Sequence, residues 1–281
     1  MKFEQTEVMN FEGALRGMRN PLNSWAKSDS AFGIFCEHEE NPEVYEVASA
    51  WAESILKDRA FATEEDYDNE FKDLYDHYLD WLYKNGLRYM SNDHHYTANY
   101  IGPNDMNLAK RLIAGGTEHR KFLRQIIVSV DITAPLYWWK EFDTYKIGTT
   151  ANSTSTMHKL ASTPITLDCF EMDDFENFVF QSEYGSHDNL IFEYTTKELA
   201  EGIVNVFETL RQKYNETKDK RYWKELVRWL PNGWLQTRTI TMNYENLRSM
   251  YHQREHHKLT EWHSFCDWIK TLPYAQEFII D

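Results

Sequence analysis

The densest set of groups that could do chemistry lies near the end of the chain, at His252-Gln253-Arg254-Glu255-His256. This run fits H-x-x-E-H, the inverted zinc-protease pattern. On a helix, residues four apart share a face, so His252 and His256 could ligate one metal while Glu255 served as base. No third ligand is identifiable, and the plainer reading is polar residues on an exposed face of the last helix. The hydroxyl-rich run Thr149 to His158 (TTANSTSTMH) reads by itself as turn chemistry. Arg228 and Arg254 read by themselves as solvated helix residues, and Asn243 sits where a helix N-cap belongs. The chain contains no G-x-S-x-G, no G-x-G-x-x-G and no G-x-x-x-x-G-K-[ST], which argues against nucleophile-elbow, dinucleotide and P-loop chemistry.

The elements that must position these residues alternate irregularly. Asn41 to Asn85 has a helical pattern, with Tyr67, Phe71, Leu74, Tyr75, Tyr78 and Leu82 on one face and acids on the other. Asn104 to Ala114 reads as a short helix stopped by Gly115-Gly116. Arg124 to Trp139 reads as a buried strand, rich in Ile and Val and interrupted at Pro135. Lys197–Leu210 and Asp219–Leu230 read as helices, Pro231-Asn232-Gly233 as a turn and Thr237–Met242 as a strand. Tyr244 to Thr271 reads as one long helix with Leu259, Trp262, Cys266 and Ile269 along an apolar stripe. This mixture predicts an α+β fold, a sheet with helices packed on it. With no repeat and no linker-like stretch, one domain over residues 1–281 is expected.

The formal net charge of -15 across 281 residues disfavours nucleic-acid polymers and anionic membranes as partners, while a few arginines could still hold a small anion. Aromatics make up 15%, enough for a packed core and for stacking on planar ligands. Cys36, Cys169 and Cys266 have no paired spacing, which points to a reduced compartment. No apolar leader opens the chain and no run approaches a membrane span, so a cytoplasmic protein is expected.

Three stretches, in the same order, resemble the flavin-dependent thymidylate synthases. The first is Ala109 to Gly148, similar to the family's helix, Gly-containing turn with a Glu-His pair (here Glu118-His119), and strand ending in Ala-Pro (Ala134-Pro135). The second is Thr144 to His158, similar to the signature R-H-R-x-x-S-x-N-E-x-S-x-R-Y with one extra residue before the Asn. Thr149 stands at its first Ser, Asn152 at the Asn and Ser155 at the second Ser. Thr144-Tyr145-Lys146 replace the Arg-His-Arg triplet, Ser153 the Glu, Met157 the Arg and His158 the Tyr. The third is Arg228 to Trp262, where Arg228, Asn243, Leu247, Arg254 and Trp262 match and Glu245 reverses the charge of an Arg. The helical region around 41–103 then looks like an insertion.

The resemblance implies a central, mainly antiparallel sheet with packed helices and a transferase that methylates dUMP to dTMP. It implies FAD as cofactor, NADPH and methylenetetrahydrofolate as co-substrates, and a homotetramer. By carry-over, Ser155 and Arg228 are the catalytic candidates. Arg254, Ser153, Ser155 and Arg228 are the nucleotide-binding ones, since a phosphate favours the bidentate guanidinium fork. Lys146, Tyr145, Thr149, Asn152, Asn243 and His119 are the cofactor-binding candidates, with Tyr145 able to stack on a ring. The lost charges predict weakened or redirected flavin chemistry, because an anionic reduced flavin needs cationic neighbours. A catalytically altered or non-catalytic nucleotide-binding relative is the alternative, and the zinc enzyme built on His252, Glu255 and His256 is a third reading.

Overall fold

Val128, Val130, Ile132 and Ala134 are fully buried and alternate with half-exposed Ser129, Asp131 and Thr133, so one face of their strand is a core face. In the computed structural model, the described residues are 1–37, 49, 52–53, 55–57, 59–85, 95–184 and 190–281. Their principal elements are β1 (Lys2–Met9), α1 (Phe11–Arg19), β2 (Ala31–Glu37), α2 (Glu64–Asn85), β3 (His95–Tyr100), α3 (Pro103–Ala114), β4 (Ile127–Pro135), α4 (Leu136–Phe142), β5 (Thr150–Ser153), α5 (Thr156–Lys159), β6 (Val179–Tyr184), β7 (Leu190–Thr195), α6 (Thr196–Thr217), α7 (Lys220–Trp229), β8 (Leu235–Asn243), α8 (Tyr244–Arg254) and α9 (Thr260–Lys270). The fold is α+β, as the sequence predicts, with a four-stranded sheet and packed helices. The chain divides into two compact units, one of Met1–Val8, Ile127–Ala275 and Ile280, the other of Met9–Ile126, Gln276–Ile279 and Asp281.

The first unit is organised by the sheet, in the order β1-β4-β8-β5. β4 and β8 run antiparallel from Ile127 opposite Asn243 to Pro135 opposite Leu235, and β5 lies on the other side of β8 with Ser153 opposite Arg238. The strand expected through Trp139 stops at Pro135, and Leu136–Phe142 turns into a helix. Proline's fixed φ suits the helix entrance. Pro135 is itself the cap residue, with extended φ -70° and ψ 152°. Helical spacing lets α4 bury both Trp138 and Trp139, which a strand would point to opposite faces. Trp138 packs among Trp139, Phe142, Trp262 and Phe265, and among the described residues its indole N–H has no hydrogen-bond partner.

The run expected as one helix from Tyr244 to Thr271 is two, α8 and α9, joined through Glu255–Leu259. His257 holds the turn, its Nδ1 accepting the Leu259 N–H at 3.2 Å. The turn brings buried Trp262 back against the α8 terminus. At the other end Asn243 caps α8 as expected, the reciprocal arrangement of a capping box. Its side chain accepts the Asn246 N–H at 3.0 Å, and Asn246 accepts the Asn243 N–H at 3.2 Å. The sequence gives no forewarning of the β6–β7 ribbon. α6 and α7 cover a smaller core of Leu160, Ile165, Phe207 and Leu226. Glu208 ties α6 to that core, accepting from the Ile165 N–H at 2.9 Å and from Arg211 at 2.6 and 2.7 Å.

In the second unit α1 buries Phe11, Ala14, Leu15 and Met18 on one face, the amphipathic pattern of a docked helix. Arg19 follows them inward and donates to Asp105 at 2.5 Å, while Ser28 and Ser30 donate to the other oxygen of the same carboxylate at 2.6 and 2.5 Å. A buried ion pair needs this full satisfaction, because desolvation otherwise exceeds the Coulombic gain. Asp29 caps α3 from a distance, accepting the N–H groups of Asn104 and Asp105 at 2.8 and 3.1 Å, bonds that the first turn of a helix leaves open. Burial pushes its carboxyl above the usual range, against the pull of those two bonds. Gly102 allows the close approach: a Cβ there would lie 2.2 Å from the Asp29 carbonyl oxygen. On α2, the expected stripe forms at Tyr67, Phe71, Leu74 and Tyr75. The expected contributions of Tyr78 and Leu82, and the helical pattern over much of 41–58, lie outside the described residues. The single domain with an insertion at 41–103 stands as a proposal. Among the described residues, no helix is long and apolar enough to cross a membrane.

Hydrogen bonds from Arg211 hold the Glu208 carboxyl down at about 2, from an ordinary value near 4.5. A carboxyl depressed in the folded state stabilises above its unfolded value and loses that contribution as pH falls through its folded one. Glu208→Gln should therefore melt earlier than the parent at neutral pH. In calorimetric scans the gap should close as pH falls from about 4.5 toward about 2.

Candidate functional site

One carboxylate gathers the centre of the first unit. Glu141, near the end of α4, accepts the Trp262 indole N–H and an Arg254 Nη1–H, both at 3.0 Å on Oε2. The His257 Nε2 lies 3.3 Å from the same oxygen. The Arg254 guanidinium is 4.7 Å from the Trp262 ring centre and 5.5 Å from that of Tyr145. It is a cation held over two aromatic faces. Its Nε–H donates to the Tyr145 hydroxyl at 2.8 Å, and that hydroxyl donates to Gln253 at 3.0 Å. Packing and charge together fix the guanidinium in one place, leaving Nη2 without a protein partner among the described residues.

The Thr144–Thr149 loop is pinned to both ends of α8. Tyr145 meets Arg254 at the C-terminal end, and Asn246 donates to the Ile147 carbonyl at 2.8 Å near the N-terminal end. Gly148 has φ +77°, and a Cβ there would lie 2.8 Å from the Asn246 side chain and 3.0 Å from that of Asn243. Geometry and space both require glycine at this position. Thr149 donates its hydroxyl to the Tyr145 carbonyl. Lys146 is exposed at the crest of this loop.

Beyond the loop, Asn152 and Ser153 are exposed on β5, the edge strand. Ser155 caps the four-residue α5, accepting the His158 N–H at 3.3 Å, the usual role of a serine at a helix start. Opposite Ser153 stands Arg238, which nothing in the sequence singles out. It donates to Asp143 at 2.7 Å and to Gln236 at 3.0 Å, and lies 4.2 Å from the Trp139 ring centre. Two arginines are thus each backed by an indole and each neutralised by a carboxylate from the α4 end, Glu141 or Asp143. The signal available in the sequence is the string Trp138-Trp139-Lys140-Glu141-Phe142-Asp143. Its first residues read as strand, and so the spacing of its acids carries no meaning there.

The structure sets Tyr145, Lys146 and Thr149 on a loop alongside α8, with Asn243 at the start of that helix and Arg254 at its end, and Asn152, Ser153 and Ser155 follow on the adjoining edge strand and turn. Other candidates fall elsewhere. Arg228 is exposed at the end of α7, paired with Glu225 on its own helix. His119 is exposed in the second unit, beside Gly115. The zinc reading is corrected: α8 ends at Arg254, Glu255 is its cap residue and His256 lies beyond it, so His252 and His256 do not share a helical face. Among the described residues, no group of three His, Cys, Asp or Glu could hold a metal ion. Two clefts of about 530 and 320 Å³ lie in the second unit, the larger lined by Asp29, Glu70, Asp73 and Asp76 with Arg59 and His77, and neither contains a candidate residue.

No protein-family model matches the chain, and neither does any curated protein. Among solved structures, it is similar to the flavin-dependent thymidylate synthase ThyX from Helicobacter pylori complexed with FAD and dUMP. That likeness has a TM-score of 0.44 at 15% identity and covers 74% of this chain and 90% of that one. A second structure, Thymidylate Synthase X from Helicobacter pylori with FAD and dUMP, gives a TM-score of 0.45 at 12% identity, covering 90% and 97%. Values this low carry no argument about chemistry.

Removing the shared acceptor should cost more than removing an exposed pair. Glu141→Ala leaves a fully buried indole N–H and a half-buried guanidinium without their partner, for an expected loss of about 1–3 kcal/mol in denaturant unfolding. Arg228→Ala, at an exposed i,i+3 pair, should change stability by less than about 0.5 kcal/mol.

Proposed function

We propose that this protein binds a pyrimidine nucleotide of the dUMP type, as a divergent relative of the flavin-dependent thymidylate synthases whose flavin chemistry is weakened or redirected. The observation that carries this reading is the meeting of motif stretches far apart in sequence. The Tyr145 loop joins Arg254 by a hydrogen bond of 2.8 Å, and β5 pairs with β8 over Thr150–Ser153. A site shared by such stretches is what the resemblance implies.

In this reading Arg254 takes the phosphate. Its plane is already fixed over two rings, so little side-chain freedom remains to be lost on binding. The incoming phosphate competes with Glu141 for the same guanidinium, and Lys146 adds a point charge nearby. Asn152, Ser153 and Ser155 supply neutral hydrogen-bonding groups along the edge strand for the base or sugar. Arg228, held by Glu225 on α7, has no part that the geometry supports.

The residues assigned to FAD fit it poorly. The Tyr145 ring carries the Arg254 guanidinium and its hydroxyl is bonded twice, so it is not free to stack on a flavin. Thr149 and Asn243 are spent on local structure. No step through flavin, NADPH or methylenetetrahydrofolate follows from these residues. The transferase reaction, dUMP to dTMP, would need the replaced charges supplied from elsewhere. A cytoplasmic homotetramer belongs to the same proposal.

Calorimetry decides the binding claim. Arg254→Ala should weaken dUMP binding by about 2–4 kcal/mol while circular dichroism stays that of the parent. Equal affinity in both proteins would sink it. With excess FAD, dUMP, NADPH and methylenetetrahydrofolate, little or no dTMP is expected, and robust production would show that the replaced charges are tolerated. Light scattering should give four times the chain mass.

A further inference from the structure

Arg238 lies between the two halves of the candidate site. Strand pairing sets it opposite Ser153 on β5, and antiparallel partners place their side chains on the same face of a sheet. Its other tie is to Asp143, which leads from α4 into the Thr144–Thr149 loop and accepts an Arg238 Nη1–H at 2.7 Å. The side chain is held as firmly as that of Arg254. Its guanidinium lies 4.2 Å from the ring centre of Trp139, which is fully buried and donates its indole N–H to the Gln236 carbonyl at 2.9 Å. The Arg238 Nε–H donates to the Gln236 side chain at 3.0 Å. The amide of that side chain donates in turn to the Thr154 carbonyl at 3.0 Å and the Thr156 hydroxyl at 3.2 Å. These bonds tie the guanidinium to the β5–α5 connection, where Ser155 stands. Arg238 Nη2 has no protein partner among the described residues, and 14% of the side chain stays exposed.

We propose that Arg238 reads the base of the bound nucleotide, donating to a carbonyl oxygen of a uracil-type ring and so selecting uracil over cytosine. The inference rests on the nucleotide reading above, and charge divides the work between the two arginines. At Arg254 the loop that carries Tyr145 adds a second cation, Lys146, against the one carboxylate of Glu141, which suits a phosphate. At Arg238 the Asp143 carboxylate cancels the one cation, and the remaining neighbours, Gln236 and Ser153, are neutral. A neutral base fits there, and a dianion gains less. A guanidinium only donates hydrogen bonds. Uracil offers it a carbonyl oxygen at C4, where cytosine carries an amino group that itself donates. That amino group would leave a half-buried guanidinium N–H facing another donor. A site built on one hydrogen bond discriminates strongly against a ligand that cannot make it. The Trp139 ring and the Gln236 bond keep the fork from turning away, so the discrimination is not relaxed by side-chain motion.

The test compares dUMP and dCMP affinities by calorimetry, for the full chain and single variants, with circular dichroism as the control on folding. The parent should bind dUMP about tenfold or more tighter than dCMP, the worth of one charged hydrogen bond. Arg238→Ala should weaken dUMP by about tenfold and dCMP little, which erases the preference. Arg254→Ala should weaken both nucleotides alike, since both carry the phosphate, and should keep the preference. A parent that does not distinguish the two nucleotides overturns the inference. So does a folded Arg238→Ala protein that keeps the preference or loses both nucleotides equally, the result a merely structural role would give. Should Arg238→Ala fail to fold, Arg238→Gln decides. It keeps a stem against Trp139, and its amide can donate or accept, so the preference should vanish, and a preference unchanged overturns the inference. The two readings fail separately. Weakening in Arg254→Ala with an intact preference in the Arg238 variants sinks this inference alone, whereas a parent that binds neither nucleotide sinks both.

Discussion

The carboxylate of Glu141 collects an indole N–H, a guanidinium and an imidazole within 3.3 Å of one oxygen, and those groups come from three consecutive parts of the chain: the end of α8, the turn after it and the start of α9. None of these groups could be buried cheaply alone. An unpaired indole N–H or guanidinium in the interior costs the desolvation of that group, whereas one shared acceptor satisfies them together. Because Glu141 sits on α4, the same contacts decide where α4, α8 and α9 lie relative to one another. The α8–α9 break follows from this. A continuous helix would carry Trp262 past Glu141, and the turn returns it. Tyr137, also on α4, adds a second tie by donating to the buried carboxylate of Glu261 on α9.

That arrangement also sets the electrostatics of the surface where a ligand would sit. Arg254 and Arg238 look in isolation like two anion-binding groups. Each is already neutralised, by Glu141 and Asp143, and each is backed by an indole face. An anion arriving there meets a preorganised fork but must displace an internal carboxylate, so affinity reflects a difference between two ion pairs. A dianionic phosphate can win such an exchange through bidentate bonding and higher charge. A flavin ring, which needs donors along its edge and a free aromatic or apolar face, gains less, because the aromatic faces are occupied by arginine.

The second unit solves a different problem with similar means. It buries an arginine and two aspartates close together, and it does so only because two serine hydroxyls and two helical N–H groups complete their bonding. The acid-rich face of α2 needs no such partners, since most of the acids in Glu64–Asp76 are exposed. Carboxylates therefore play two roles here: interior ones organise helix ends and loops, and exposed ones set the long-range field.

The sequence by itself determined the local matters. Val128–Ala134 alternates apolar and polar residues, with β-branched Val128, Val130 and Ile132 on the apolar side, so it had to be a strand with one core face. Pro135 had to interrupt it. Asn243 had to cap a helix, and the stripe from Tyr67 to Tyr75 had to lie on one side of another. These follow from backbone geometry and side-chain periodicity within a few residues, which is why they were legible. The tertiary structure decided whatever depended on a partner far along the chain. Leu136–Trp139 fits a strand or a helix by composition, and the helix won because it buries two indoles on one aromatic cluster. Tyr244–Thr271 has an unbroken helical stripe, yet it breaks where Trp262 must reach Glu141, 121 positions earlier. Arg228 and Arg254 are indistinguishable as letters. One is exposed beside Glu225 on its own helix and the other is fixed between two rings, a distinction made by residues that only folding brings near.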